Sequence, residues 1–171
     1  MLSLARECAL FPGDFIECGV YRGGLTTQLA SLGRMVYACD TFAGLPKSGP
    51  EDNYHKAGDF SDTSLPEVMS RWEEAGVLPF ICPKVGLFSE SFPEMIGLKF
   101  CFGFVDADYY SSTKEAFEFI YPRLSPGGWL ITDDYHWPHC LGVNKAVDEF
   151  LLDKPEKLVQ ICGHQWGLKK L

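Results

Sequence analysis

The sequence FCFGFV at residues 100–105 is the most apolar run in the chain, and it ends at Asp106-Ala107-Asp108. A strand that is apolar at every position, rather than at alternate ones, is typical of a parallel sheet covered on both faces. We therefore predict a buried parallel strand that carries two carboxylates at its carboxyl end.

Six further runs of strand length lie before and after it, and most are followed by apolar residues at helical spacing. This alternation predicts a single α/β domain over residues 1–171, with a doubly wound, mostly parallel seven-stranded sheet between two layers of helices. The last two strands flank Gly163 and are predicted to pair as an antiparallel hairpin. The predicted strands are 14–18, 35–39, 80–85, 100–105, 129–132, 157–162 and 165–170, and the predicted helices are 24–32, 65–75, 89–96, 112–124 and 143–151.

Two Ser-x-x-Glu pairs predict where helices begin. Ser64 with Glu67, and Ser112 with Glu115, have the spacing of a capping box, in which each side chain satisfies a backbone N–H of the first turn. A loop of about twenty residues precedes Ser64, long enough to act as a lid. Its one histidine, His55, is expected to be solvated.

The composition excludes several classes of protein. Of 171 residues, 46% are hydrophobic and 22% charged, which is enough apolar material for a folded core. A net charge of −8 argues against a nucleic-acid partner bound through its phosphates. We find no membrane-length apolar stretch and no secretory signal, so we expect no membrane partner and a cytoplasmic location. The seven cysteines form no C-x-x-C pair and are expected to be mostly buried and reduced.

The turn after the first strand predicts which cofactor binds. Ligands of open parallel sheets bind at the carboxyl ends of the strands, and this turn, residues 17–24, lacks the G-x-G-x-x-G spacing of a dinucleotide site. Glu17 would repel a pyrophosphate and attract an ammonium or sulfonium group, which favours S-adenosylmethionine over NAD. Asp40 ends the second strand and is predicted to accept ribose hydroxyls, a role common to both cofactors. The alternative is that the glycines serve only the turn and Glu17 caps the helix.

A second group of acids lies at neighbouring strand ends. If the fourth and fifth strands are adjacent, about 4.8 Å apart, the carboxylates of Asp106 and Asp133 nearly touch. A shared proton, a basic partner or a divalent cation would relieve their repulsion, and hard oxygen ligands favour a magnesium-type ion. Asp108 follows Asp106 by two residues, so it is predicted to point to the same side and to take a proton from a hydroxyl. For Asp108 the alternative is a helix cap.

Five segments resemble the macrocin O-methyltransferase (TylF) family: GDFIECGVYRGG, DTFAGLP, FVDADYYSST, SPGGWLITDDY and NKAVDEF, in this order. The resemblance implies a Rossmann-like class I methyltransferase sheet of order 3-2-1-4-5-7-6. It also implies Asp106, Asp133 and Asp134 as magnesium ligands and Asp108 as general base. The other residues proposed for the cofactor site are Glu17, Gly19, Tyr21, Arg22, Gly23, Gly24, Asp40, Thr41, Phe42 and Phe88, together with Asp106.

These features predict an S-adenosylmethionine- and Mg²⁺-dependent O-methyltransferase. Its acceptor would be a hydroxyl of a small molecule, a sugar or a sugar-bearing natural product, with a vicinal diol as the best fit to the metal. His136, just after the aspartate pair, is a second candidate catalytic residue. The alternatives are an NAD-dependent oxidoreductase and a catalytically inactive cofactor-binding domain. The sequence leaves open whether the chain forms a homo-oligomer.

Overall fold

The computed structural model describes residues 1–171. Seven strands form one sheet, and six α-helices and three short 3₁₀ turns connect them. The strands are β1 (Asp14–Cys18), β2 (Val36–Asp40), β3 (Ile81–Val85), β4 (Phe100–Val105), β5 (Leu124–Thr132), β6 (Val159–Cys162) and β7 (Gln165–Lys169). The helices are α1 (Leu2–Cys8), α2 (Gly24–Ala30), α3 (Leu65–Glu74), α4 (Phe88–Ser91), α5 (Tyr110–Ile120) and α6 (Leu141–Leu151).

The strand order β3-β2-β1-β4-β5-β7-β6 confirms the predicted topology. Strands β1 to β5 are parallel, whereas β7 is antiparallel to both β5 and β6, as the predicted hairpin requires. Every residue of β4 is buried, because this central strand is covered on both faces. Two hydrophobic clusters, of 18 and 17 buried residues, pack on the sheet.

The start of α5 differs from the prediction. The helix begins at Tyr110 rather than at Ser112, so Ser112 and Glu115 lie inside the helix and form no capping box. The backbone N–H of Tyr110 donates instead to Oδ1 of Asp52 at 2.8 Å. A side chain 58 residues away therefore caps this helix.

The other differences have local causes. Ser64 precedes α3 as predicted, but its hydroxyl donates to the carboxylate of Glu67 at 3.0 Å and caps no backbone N–H. Strand β5 begins at Leu124 because the predicted turn before Trp129 stays in the sheet, where Gly127 N–H donates to Lys170 O at 2.8 Å. Helix α1, which was not predicted, buries two of its residues, Ala5 and Cys8.

The remaining sequence-level expectations concern cysteines and membranes. All seven cysteines are free, and only Cys82 and Cys162 are not buried, which confirms the expectation of mostly buried, reduced thiols. None of the helices combines the length and the apolar character that crossing a bilayer requires.

Candidate active site

A cavity of about 870 Å³ opens at the carboxyl ends of the parallel strands. The loops that follow β1, β2, β4 and β5 line it, which is where ligands of doubly wound sheets bind. Most residues that the sequence singled out line this one cavity. They are Glu17, Gly19, Tyr21, Arg22, Gly24, Asp40, Thr41, Phe88, Asp106, Asp108, Asp133 and Asp134.

The turn after β1 is shaped by Gly19 and Asp40. Gly19 has φ +89°, and a Cβ at this position would overlap the carbonyl oxygen of Asp106. Oδ2 of Asp40 accepts the backbone N–H groups of Val20 at 2.6 Å and Tyr21 at 2.9 Å, while Oδ1 accepts that of Phe42 at 2.7 Å. Asp40 therefore fixes the backbone of this turn, in addition to facing the cavity.

Glu17 is almost fully buried at the floor of the cavity. Its side chain is 2% exposed, and its Oε2 accepts the hydroxyl of Thr26 at 2.6 Å. Burial raises the pKa of Glu17 to about 8, and the nearby carboxylate of Asp40 adds to this rise, while the Thr26 hydroxyl opposes it. Without a charged partner Glu17 is therefore mostly protonated near neutral pH, and a cationic ligand would ionise it.

Glu17→Gln is expected to flatten the pH dependence of stability. Because the folded pKa of Glu17 is about 8 against an ordinary value of 4.5, its contribution is complete below about pH 4.5 and is lost as the pH rises toward 8. The wild type should lose free energy of unfolding on the order of 4 kcal/mol between pH 5 and 8 through this group. Gln keeps an acceptor for Thr26 and carries no charge. Chemical denaturation at several pH values measures the difference, and parallel profiles for the two proteins would contradict it.

The second part of the site follows from the register of β4 and β5. Val105 pairs with Thr132, so Asp106 and Asp133 leave the sheet side by side, and Asp133 N–H donates to Val105 O at 2.8 Å. Carboxylate oxygens of three residues, Asp106, Asp108 and Asp134, all lie within 4.8 Å of one another. We call these three residues the aspartate triad.

The aspartate triad is under electrostatic strain. Burial holds the pKa of Asp106 well above its usual range, and the charges of Asp133 and Asp108 raise it further. Burial also raises the pKa of Asp108 to about 6, although His55 opposes this rise, and burial and Asp133 raise the pKa of Asp134. Several carboxylates in a partly dry site thus repel one another, and a proton or a cation would relieve that repulsion.

Asp133 lies beside the triad but is not part of it. Its Oδ1 accepts the backbone N–H of Asp134 at 3.0 Å, and its Oδ2 accepts Nε2 of Gln165 at 3.4 Å. The three carboxylates that converge thus include Asp108, the predicted base, together with two of the three predicted ligands. Asp133 still lines the cavity.

Three predicted site residues lie outside the cavity lining. The carbonyl of Gly23 accepts Nε1 of Trp72 at 3.2 Å, and a Cβ at Gly23 would clash with that indole. Phe42 is buried in the core, edge-on to Trp72 at 6.4 Å. The exposed His136 packs between Tyr135 and Trp166. These three residues contact neighbouring protein groups, and their predicted site roles stay predictions.

The loop between β2 and α3 brings residues to the site that local sequence signals missed. His55, expected to be solvated, is only 17% exposed, and its Nε2 lies 3.4 Å from Oδ1 of Asp108. Asp62 accepts the hydroxyl of Tyr21 at 2.8 Å and pairs with Arg22, so the Arg22 guanidinium already has a partner. Phe60 lines the cavity as well. No periodic pattern in the sequence indicates that these residues reach the site, because the folded shape of the loop brings them there.

Backbone strain is concentrated around the same cavity. Six non-glycine residues have positive φ, a conformation that costs about 1–3 kcal/mol and persists only where the surroundings enforce it. Four of them line the cavity: Tyr21, Phe60, Asp108 and Asp134. Strained residues cluster where geometry serves function, which supports this cavity as the functional site.

Comparisons with known proteins agree with the geometry. The model of the family "Macrocin-O-methyltransferase (TylF)" matches residues 7–160. The mycinamicin III 3''-O-methyltransferase of Micromonospora griseorubida is 32% identical over 156 residues, which cover 81% of this chain and 60% of that protein. The 8-demethyl-8-(2,3-dimethoxy-alpha-L-rhamnosyl)-tetracenomycin-C 4'-O-methyltransferase of Streptomyces olivaceus is 31% identical over 144 residues, or 75% of this chain and 55% of that protein.

A comparison with a solved structure shows the same fold. The O-methyltransferase NovP superposes with a TM-score of 0.83 at 27% identity, covering 99% of this chain and 78% of NovP. The chain spans 55–60% of the length of the two curated relatives. Since the family model matches most of its residues, the chain belongs to the macrocin O-methyltransferase (TylF) family.

Proposed function

We propose that this protein transfers a methyl group from S-adenosylmethionine to a hydroxyl of a sugar-bearing small molecule, with the help of a divalent cation. One observation carries the proposal: the turn after β1, with the neighbouring Glu17 and Asp40, and the aspartate triad line the same cavity. A donor bound at the turn and an acceptor bound at the triad would therefore meet. Membership of the family supports the same reaction.

The donor fits the first half of the cavity. Glu17 is the buried acid nearest the turn, and ionisation of its carboxyl would balance the ammonium or sulfonium charge of S-adenosylmethionine. The lack of a side chain at Gly19 lets the turn lie directly against the strand end that carries Asp106. Asp40 holds the backbone of the turn in place before any ligand arrives. Such preorganisation lowers the cost of binding.

The aspartate triad fits a magnesium-type cation. Its donors are hard carboxylate oxygens from Asp106, Asp108 and Asp134, close enough together to share one ion and mutually repulsive without one. Asp106 and Asp134 would hold the ion with Asp133 beside them, and Asp108 would remain free to act as the base. When bound, a divalent cation supplies Lewis-acid polarisation of the acceptor hydroxyl.

Asp108 is the residue best placed to receive the proton. In the reaction the hydroxyl oxygen forms a bond to the methyl carbon, the carbon–sulfur bond breaks, and sulfur keeps the electron pair. The hydroxyl proton passes to a base, and the carboxylate of Asp108 lies beside Asp106 and Asp134 in the cavity, where that base is needed. His55, 3.4 Å away, limits the orientations of that carboxylate.

The acceptor is proposed from the relatives and from the cavity wall. The names of two relatives describe methyl transfer to mycinamicin III and to a rhamnosyl tetracenomycin. Trp137 lines the cavity next to the triad and offers an aromatic face of the kind that packs on sugar rings. With a net charge of −8, a small neutral acceptor is a better partner than a nucleic acid.

Binding and transfer experiments test the proposal together. Calorimetry should show binding of S-adenosylhomocysteine, and radiolabelled methyl should pass from S-adenosylmethionine to rhamnosides with free vicinal hydroxyls, in a reaction stopped by EDTA and restored by Mg²⁺. Asp106→Asn should weaken Mg²⁺ binding by about tenfold or more, because the ion would lose a carboxylate that binds it directly. Binding of the cofactor without transfer would identify an inactive domain. Binding of NAD without binding of S-adenosylhomocysteine would instead favour the oxidoreductase. Full activity in the presence of EDTA would show that the reaction needs no divalent cation.

A further inference from the structure

The loop between β2 and α3 is attached to the starts of two helices. Asp52 accepts the first N–H of α5, from Tyr110, at 2.8 Å. Glu51 pairs with Lys145 of α6 at 3.1 Å. The ring of Tyr54 stacks on His139, just before α6, with 4.0 Å between centroids. Three of the four residues from 51 to 54 thus contact α5, α6 or the segment just before α6. These elements lie beside the aspartate triad.

Gly142 leaves the space that the Asp52 side chain occupies. It lies in the first turn of α6, where a Cβ would overlap Oδ1 of Asp52 and lie 3.0 Å from the backbone nitrogen of Tyr110. Its φ is not positive, so its backbone does not require glycine. A glycine inside a helix is destabilising relative to alanine. Room for Asp52 is therefore the physical reason for glycine here.

His55 follows Asp52 by three residues in the same loop. The imidazole of His55 lies between two carboxylates, with Nε2 3.4 Å from Asp108 and Nδ1 3.5 Å from Asp59. Asp52 attaches this part of the loop to α5, close to the point where His55 approaches Asp108. Both residues lie on the acceptor side of the cavity, together with Trp137.

We propose that Asp52 and Gly142 are positioning residues for methyl transfer. The contact of Asp52 with Tyr110 and Gly142, here called the Asp52 seat, holds His55 against Asp108 on the acceptor side of the cavity. Neither residue touches the reacting atoms, so both act through the loop. This inference rests on the proposed function.

Gly142→Ala tests the Asp52 seat because a local effect and the proposed effect have opposite signs. If Gly142 did not make room for Asp52, alanine would only favour helix α6 and should give a Tm equal to or above that of the wild type. Loss of the seat should instead make the amide of Tyr110 exchange about tenfold faster, as its only acceptor moves away. It should also lower kcat/KM for the rhamnoside probe by about 10–100-fold, through misplacement of loop groups. Affinity for S-adenosylhomocysteine should change little.

Three further variants separate the causes. Gly97→Ala is the matched control, since a Cβ at Gly97 meets no atom within 4 Å, and it should exchange and react like the wild type. Asp52→Asn keeps a carbonyl acceptor and should retain most of the activity, whereas Asp52→Ala should not. If the overlap is the cause, Asp52→Ala combined with Gly142→Ala should be no worse than Asp52→Ala alone.

Two results would overturn the inference. One is unchanged exchange of the Tyr110 amide in Gly142→Ala, and the other is faster exchange with kcat/KM at the wild-type value. If the wild type methylates no probe, the proposed function fails and the positioning role fails with it. In that case the exchange experiment still decides whether the Asp52 seat exists.

Discussion

Asp108→Asn is expected to lower kcat for methyl transfer to the rhamnoside probe by about 10²–10⁴-fold, the usual contribution of a positioned general base. The amide has nearly the size and shape of the carboxylate but accepts no proton. Asn also tolerates the left-handed backbone that Asp108 adopts at φ +56°, so the loop should keep its conformation. The loss should therefore appear in kcat, with binding of S-adenosylhomocysteine preserved.

The control for this variant is Asp153→Asn. The side chain of Asp153 is 80% exposed just beyond the end of α6, so the same chemical change there should leave the rate unaltered. Steady-state kinetics and calorimetry on both variants supply the measurement. A kcat for Asp108→Asn within threefold of the wild-type value would assign the proton to another acceptor.

Gly19→Ala should destabilise the protein and abolish cofactor binding at once. A methyl group at Gly19 would overlap the carbonyl oxygen of Asp106, so either the turn after β1 or the strand end that carries Asp106 must move. Adding the unfavourable positive φ, we expect a loss of about 3 kcal/mol or more in the free energy of unfolding. For a chain of this size that lowers Tm by roughly 6–12 °C.

Gly33→Ala isolates the backbone part of this effect. Gly33 also has a positive φ, +77°, but a Cβ there meets no atom within 4 Å. Its replacement should cost only about 1–2 kcal/mol and leave S-adenosylhomocysteine binding intact. Thermal unfolding and calorimetry of the two variants give the comparison. If Gly19→Ala resembles Gly33→Ala in both measurements, the close approach of the two strand ends has no functional importance.

The donor half and the triad half of the proposed active site meet at a contact in the middle of the sheet. The turn of β1 touches the end of β4 at Gly19 and Asp106, so the donor half and the triad half cannot move independently. The loop after β2 reaches the triad through the side chain of His55, 3.4 Å from Asp108, and reaches α5 through Asp52.

Much of this arrangement could be predicted from local sequence. The apolar run at residues 100–105, buried on both faces, indicated the central parallel strand, and the acids that follow the strands indicated the edge where ligands bind. The strand order came from the resemblance of five segments to one family, and the topology confirms it. These features are accessible because strand alternation, glycine turns and strand ends are properties of neighbouring residues.

Other features depended on contacts between residues far apart in the chain. The capping of α5 by Asp52 spans 58 positions, and the hydrogen bond between Lys145 and Glu51 spans 94. The carboxylate of Asp133 accepts a hydrogen bond from Gln165 of the last strand, 32 positions away, which no local pattern indicates. Local periodicity determines where strands and their carboxylates occur along this chain. Which side chains converge was decided by packing in the folded protein, because a loop without periodicity takes its shape from the surfaces it contacts.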